Sequence, residues 1–220
     1  MKNLFIITGA SSYTGTELLN NLRNKKKDDF LLQVYKNKKK IINKKKIHNL
    51  RKKIISTNFA FQKNINSFTS HISKSNKYNN IYFIHLPSNI ITLKKSENYT
   101  THQINSQIMI HTISLLIIYK YLLKKSNYTK LKIIILNSTI IDNKIIPGTL
   151  DYTIGKYALQ ALYKNILFDI RNSKQIFVNS IYPPMFNSHL TKNIPNYLKD
   201  KINNTSIVQN IIKKINLLIK

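Results

Sequence analysis

The chain has 220 residues, 42% of them hydrophobic, no cysteine, and 36 Lys and Arg against 8 Asp and Glu, for a formal charge of +28. That length suits one domain, residues 1–220, with a full core, and the apolar content excludes an unfolded polyelectrolyte. The lack of cysteine excludes a disulfide framework, a thiolate nucleophile and a cysteine metal site, and fits a reducing, cytoplasmic setting.

The run Met1 to Ile7 is too short for a signal core and leads straight into a glycine turn, so Leu4 to Ile7 reads as a strand. Thr16 to Arg23, with Leu18, Leu19 and Leu22 at helical spacing, follows as a helix. Phe30 to Tyr35 is a second strand, Lys36 to Lys53 a loop with a solvated helix, and Ile54 to Phe59 a third strand. Ile65 to Ser75 reads as a helix and Asn80 to Leu86 as a fourth strand, stopped by Pro87. Gln103 to Lys125 is a long helix, apolar on most of its circumference, which suits burial against the sheet and a second subunit. Its most apolar part, Ile108 to Leu123, is interrupted by His111, Ser114 and Lys120, so no membrane span is expected. Lys132 to Leu136, almost pure Ile, is a fifth strand buried on both faces. Tyr152 to Ile170 is a helix, Gln175 to Ile181 a sixth strand stopped by Pro183 and Pro184, and Thr205 to Ile219 a closing helix. This alternation predicts an α/β fold: a Rossmann-type, doubly wound parallel sheet of six strands with helices on both faces and Leu4 to Ile7 inside it.

The basic excess is the most unusual bulk property and would ordinarily suggest a polyanionic partner. It comes with many Asn, Ile and Tyr, all residues with AT-rich codons. Drift in base composition accounts for the four together, and nucleic acid stands behind a small-molecule ligand as the expected partner.

Two of the four glycines fall in Thr8-Gly9-Ala10-Ser11-Ser12-Tyr13-Thr14-Gly15, between the first strand and the first helix. A Rossmann fold approaches a pyrophosphate there with bare N–H groups and a helix N-terminus, and a Cβ would hold the ligand away or forbid the turn. The cofactor candidates in it are Gly9, Ser11, Ser12, Tyr13, Thr14 and Gly15. A second signal is Tyr-x-x-x-Lys, which occurs five times in this Tyr- and Lys-rich chain. Only Tyr152/Lys156 opens a helix after the buried fifth strand, with Ser138 at that strand's carboxyl end, where α/β sheets place their ligands. Residues four apart share a helix face, so the Lys156 ammonium is expected near the Tyr152 phenol, lowering its pKa from about 10.

The glycine turn resembles the Thr-Gly-x-x-x-Gly-x-Gly turn of the short-chain dehydrogenase/reductases, with Tyr13 in place of the middle glycine. It also looks like the start of N-acetyl-glutamyl-phosphate reductases, whose chemistry needs a cysteine. The short-chain dehydrogenase resemblance implies a catalytic set of Tyr152, Lys156 and Ser138, with Asn105, in Ile104-Asn105-Ser106, matching an asparagine that anchors a proton-relay water. Tyr152 would protonate a carbonyl oxygen as hydride arrives, Lys156 would hold the nicotinamide ribose, and Ser138 would bond the same oxygen.

Val178-Asn179-Ser180-Ile181-Tyr182-Pro183-Pro184 resembles the stretch that packs on the nicotinamide, making Pro183 and Ser188 cofactor candidates, with Pro184 in place of a glycine. His85-Leu86-Pro87-Ser88 stands where the family has Asn-Asn-Ala-Gly, and His85 reads as a packed strand-end residue. Asn58 and Lys36 complete the cofactor set. Tyr35-Lys36-Asn37-Lys38 offers no acid to a ribose, which puts NADP(H) ahead of NAD(H). The family pattern closest to the chain is that of the 3-oxoacyl-acyl-carrier-protein reductases, with a link to fatty acid biosynthesis. It implies a small carbonyl substrate or an acyl-carrier-protein thioester, and a homo-oligomer. A catalytically degenerate member that binds nucleotide or RNA is the alternative, and no metal site is expected.

Overall fold

The computed structural model describes residues 2–35, 50–72, 78–124, 130–142, 146–184, 191, 193–195 and 204–219. The elements in chain order are β1 (Leu4–Thr8), α1 (Tyr13–Asn21), β2 (Asp29–Val34), β3 (Arg51–Ser56), α2 (Gln62–Ser70), β4 (Asn80–His85), α3 (Thr101–Ile108), α4 (Ser114–Leu123), β5 (Lys130–Leu136), α5 (Leu150–Asp169), β6 (Ile176–Ile181) and α6 (Asn204–Ile219). One π turn, Met109–Ile113, joins α3 to α4 without a break.

The six strands are all parallel, in the order β3-β2-β1-β4-β5-β6. β1 therefore lies inside the sheet, and the chain reverses its direction of travel across the sheet between β1 and β4, the crevice where open α/β sheets bind ligands. Strand side chains alternate between two cores, as their two-residue period requires. Phe5 and Ile7 pack with Leu18 and Leu19 of α1 and Ile207, Ile211 and Ile215 of α6. Leu4 and Ile6 face Ile65 and Phe68 of α2, Leu115, Ile118 and Leu122 of α4, and Leu159 of α5 on the other side.

Several boundaries differ from the expected ones for local reasons. β3 runs Arg51–Ser56 rather than Ile54 to Phe59, because pairing with β2 extends it back through the basic residues at its exposed edge. Residues 51–53 are thus strand, not solvated helix, and 36–49 lie outside the described residues. α3 begins two residues before Gln103, at Thr101. Thr100 caps it by accepting from the Gln103 N–H while the Gln103 side chain accepts from the Thr100 N–H, a capping box. The helical run Thr101–Leu123 is long and apolar enough for a membrane span by composition. Its apolar residues instead cover the sheet, and half of the window is buried within the protein.

Candidate active site and nucleotide turn

The turn after β1 is built by its glycines. Gly9 has φ +70°, and a Cβ there would come 2.8 Å from the Leu86 carbonyl carbon and 2.9 Å from Pro87 Cα. A Cβ on Gly15 would lie 2.7 Å from the carbonyl oxygens of both Ala10 and Gly9. Both glycines are thus demanded by the turn's own backbone packing, so of the two reasons for glycine here the geometry supplies the steric one. Ser12 caps α1, its hydroxyl accepting from the Gly15 N–H at 3.0 Å. Gln33, which no motif singles out, steadies the turn. Its side-chain oxygen accepts from the Gly9 N–H at 2.8 Å, and its amide donates to the Thr57 carbonyl at 2.7 Å. The N–H groups of Tyr13 and Thr14, in the first turn of α1, have no intrahelical acceptor and point out of the helix N-terminus, as an anion site requires. The Tyr13 ring itself is exposed.

The second half of the site lies beyond β4, where β5 and α5 meet. Ser138, two residues past the end of β5, is buried and accepts from the Ile140 N–H at 3.3 Å. Tyr152 and Lys156 lie on one face of α5 and are buried. Lys156 Nζ donates to the Leu136 carbonyl at 3.0 Å and stands 5.6 Å from the Tyr152 ring centroid. Burial pushes the Tyr152 phenol up to about 12, with hydrogen bonding from Ser138 pulling the other way. Burial likewise pushes the Lys156 amine down to about 7.

These values correct the expectation that Lys156 lowers the phenol. The amine sits over the ring face and carries only part of its charge near neutrality, so desolvation wins.

His85 and His111 close the floor of this region. His85 Nε2 lies 3.0 Å from the His111 carbonyl oxygen, which can only accept, so Nε2 carries the proton. Its Nδ1, 3.0 Å from Thr8 Oγ1, accepts from that hydroxyl. Both ring nitrogens are thus partnered, and burial holds the ring neutral, with its pKa pushed down to about 3. The π turn is stitched locally: the Ser114 N–H reaches back to the Met109 carbonyl, and the Ser114 hydroxyl donates to the bypassed Ile110 carbonyl at 2.7 Å. Such turns recur at functional sites.

No protein-family model matches the chain, and no curated protein sequence matches it. Solved structures do. A 4-hydroxyisoleucine dehydrogenase complexed with NADH superposes with a TM-score of 0.80 at 20% identity, covering 99% of this chain and 91% of that one. A short-chain dehydrogenase from Sphingobium yanoikuyae in complex with NADPH gives 0.79 at 12% identity, over 98% and 85%. One from Burkholderia cenocepacia J2315 in complex with NADP gives 0.72 at 12% identity, over 88% and 78%. The fold is that of the short-chain dehydrogenase/reductases.

Among the residues singled out from the sequence, the structure brings together Tyr152, Lys156 and Ser138, and sets the Gly9 to Gly15 turn at the end of β1, two strands away across β4. Pro183 is buried after β6, and its carbonyl accepts from the Thr139 N–H at 3.1 Å, tying that loop to the one bearing Ser138. Asn58 lies past the end of β3, where its side-chain oxygen accepts from the Ala60 N–H at 3.0 Å. Lys36 and Ser188 lie outside the described residues.

Asn105 does not join the group: it is exposed on α3. The stripe of that helix facing α5 carries Gln107 and, one turn on, His111, and Asn105 lies about 200° round the axis from Gln107. His111 belongs to the site although no motif marks it. Its one signal in the sequence is a lone histidine inside the apolar run from Ile108 to Leu123.

Proposed function

We propose that the chain is an NAD(P)H-dependent oxidoreductase that reduces a carbonyl to an alcohol, with Tyr152 as proton donor. The observation that carries this reading is the convergence of buried Tyr152, Lys156 and Ser138 at the carboxyl end of β5, beside the β1/β4 crevice. Solved neighbours of the same fold that carry NADH, NADPH or NADP support it.

The turn residues fit a dinucleotide. A helix N-terminus with outward N–H groups closes on a turn that admits no Cβ at Gly9 or Gly15, and the exposed Tyr13 ring is free of the core. Ser11, Ser12, Tyr13, Thr14 and the two glycines would hold the pyrophosphate, Asn58 the adenine side and Pro183 with Ser188 the nicotinamide side.

A bound reduced nicotinamide supplies the hydride. The protein's part is the proton and the pocket. A phenol near 12 stays protonated at neutral pH, so Tyr152 is a donor to the carbonyl oxygen, which favours reduction over oxidation. Ser138 donates a hydrogen bond to the same oxygen, and Lys156 holds the ribose and restores the proton to Tyr152. Asn105, being exposed, is dropped from the set. A small carbonyl compound or an acyl-carrier-protein thioester would be the substrate, the basic surface suiting the acidic carrier. Self-association through the helical run Thr101–Leu123, in a cytoplasmic protein, completes the reading.

The test is binding of NADPH and NADH, followed by cofactor fluorescence. NADPH should bind more tightly, and Lys36→Ala should narrow the difference by removing one contact to the 2′-phosphate. Equal affinity in the parent protein rejects the NADP preference. The second reading, a non-catalytic nucleotide or RNA binder, draws on Tyr13, Pro184 and the +28 charge. It wins if RNA binds with a steep salt dependence while neither cofactor binds.

A further inference from the structure

Gln160, one turn beyond Lys156 on α5, takes no part in the chemistry above, yet it joins the two loops on which that chemistry depends. Its side-chain oxygen accepts from Asn137 Nδ2 at 3.0 Å and from the Tyr182 hydroxyl at 2.9 Å. Asn137 directly precedes Ser138, and Tyr182 directly precedes Pro183. A carbonyl oxygen has two lone pairs, so both are spent on this one junction. Residues four apart share a helix face, which sets Tyr152, Lys156 and Gln160 in one row on α5. Lys156 holds the Leu136 carbonyl and Gln160 the Asn137 amide, so successive turns of the helix grip successive residues at the end of β5.

The junction lies where the backbone has least to offer. Pro183 and Pro184 have no N–H, so the chain leaving β6 cannot be tied down by donors of its own at these two positions. Two backbone bonds reach it from the other loop: the Asn137 N–H donates to the Ile181 carbonyl at 2.8 Å, and the Thr139 N–H to the Pro183 carbonyl at 3.1 Å. Gln160 adds a side-chain link and anchors both loops to the helix that carries Tyr152 and Lys156. Asn137 is buried, and it keeps this bond although its own Oδ1 finds no partner among the described residues. An apolar side chain there would carry no such cost. Directional bonds at all three positions fix an alignment that apolar packing, indifferent to direction, does not.

We propose that Gln160 is a positioning residue that sets the distance between the carbonyl oxygen held by Ser138 and the nicotinamide ring held by the Pro183 loop. The inference rests on the carbonyl-reductase reading, in which those two loops hold the two reactants. Hydride transfer needs both in a near-attack geometry, and a small misplacement lowers its rate steeply. Gln160 touches neither reactant and acts through Asn137 and Tyr182.

The test uses Gln160→Leu, which removes the acceptor, Gln160→Glu, which keeps it, and Tyr182→Phe, which breaks one of the two bonds and retains the ring. Amide exchange at Thr139 is measured in the protein without cofactor, then the emission of bound NADPH, then kcat and its isotope effect when the transferred hydrogen is deuterium. In Gln160→Leu, Thr139 should exchange faster, and bound NADPH should change its emission at unchanged affinity. Its kcat should drop roughly tenfold with KM held, as for the loss of a hydrogen bond felt in the transition state, and the isotope effect should rise. Gln160→Glu should restore most of kcat and the protection of Thr139. Tyr182→Phe should lose less, and combining it with Gln160→Leu should add nothing, because both break the same link. Parental Thr139 exchange in Gln160→Leu overturns the clamp. Loosened exchange with parental kcat and isotope effect, or additive losses in the double variant, overturns the positioning role. If Gln160→Leu does not fold, Tyr182→Phe is read in the same way. A parent protein that reduces no carbonyl defeats the underlying reading and the positioning role with it, whereas Thr139 exchange still tells whether Gln160 joins the two loops.

Discussion

The glycine turn after β1 and the Tyr152 cluster sit at the carboxyl edge of the same sheet but are specified differently. The turn is local: Gly9, Ser12 and Gly15 close it through contacts within eight residues and the backbone of the neighbouring Leu86 and Pro87. The Tyr152 site is assembled from β4, β5, α5 and the π turn, and its chemistry depends on what burial does to each group. Composition and spacing disclose the first kind of site. For the second, spacing alone is mute, because Tyr-x-x-x-Lys occurs at four other places in the chain; order along the chain singles out one pair, and only packing shows what burial does to it.

The contrast is most exposed to test at Tyr152. Tyr152→Phe removes only a hydroxyl, so the fold should survive while carbonyl reduction drops by roughly 10²–10⁴-fold, as expected for a positioned acid. Tyr121→Phe alters an equivalent spacing elsewhere and should leave the rate unchanged. A damaging Tyr121→Phe, or a harmless Tyr152→Phe, would show that position after the buried strand does not select the site.

Lys156→Met should abolish turnover yet raise the melting temperature. The folded-state amine titrates near 7 against an ordinary value of 10.5, so below pH 7 the native state carries the full cost of a buried charge. That cost fades as pH rises toward 10.5, because the unfolded chain holds the proton longer than the folded one. The gain from Lys156→Met should be a few kcal/mol, at about 1.4 kcal/mol for each tenfold change in the acid constant. It should be largest at or below pH 7 and smallest near pH 10, as thermal melts across that range would show. A gain independent of pH would mean that Lys156 is not strained by burial.

In the turn, Gly15→Ala should cost roughly 1–3 kcal/mol by overpacking and weaken cofactor binding in the same variant, measured by denaturant titration and cofactor fluorescence. Gly148→Ala is the mildest change. It strains a residue at φ +81°, and its Cβ would meet the Lys94 carbonyl oxygen at a tolerable 3.2 Å. It should cost about 1 kcal/mol with cofactor binding intact. Equal loss of binding in both would mean that the turn is not special.

The alternation of strands and helices, the interior place of β1 and the glycine turn that follows it are all legible in the amino-acid sequence. Each is written in short-range periodicity, in glycine placement or in order along the chain. Asn105 shows the limit. Its motif matched with a few extra residues tolerated before the fifth strand, but it lies about 200° round the axis from Gln107, which faces α5, and which face of Thr101–Leu123 meets α5 is set by packing, not by the motif. Packing in three dimensions put His111 against Gly155, turned the phenol upward in pKa instead of downward, and used up both nitrogens of His85. Desolvation and close contact between distant segments decide those properties, and neither is a property of spacing.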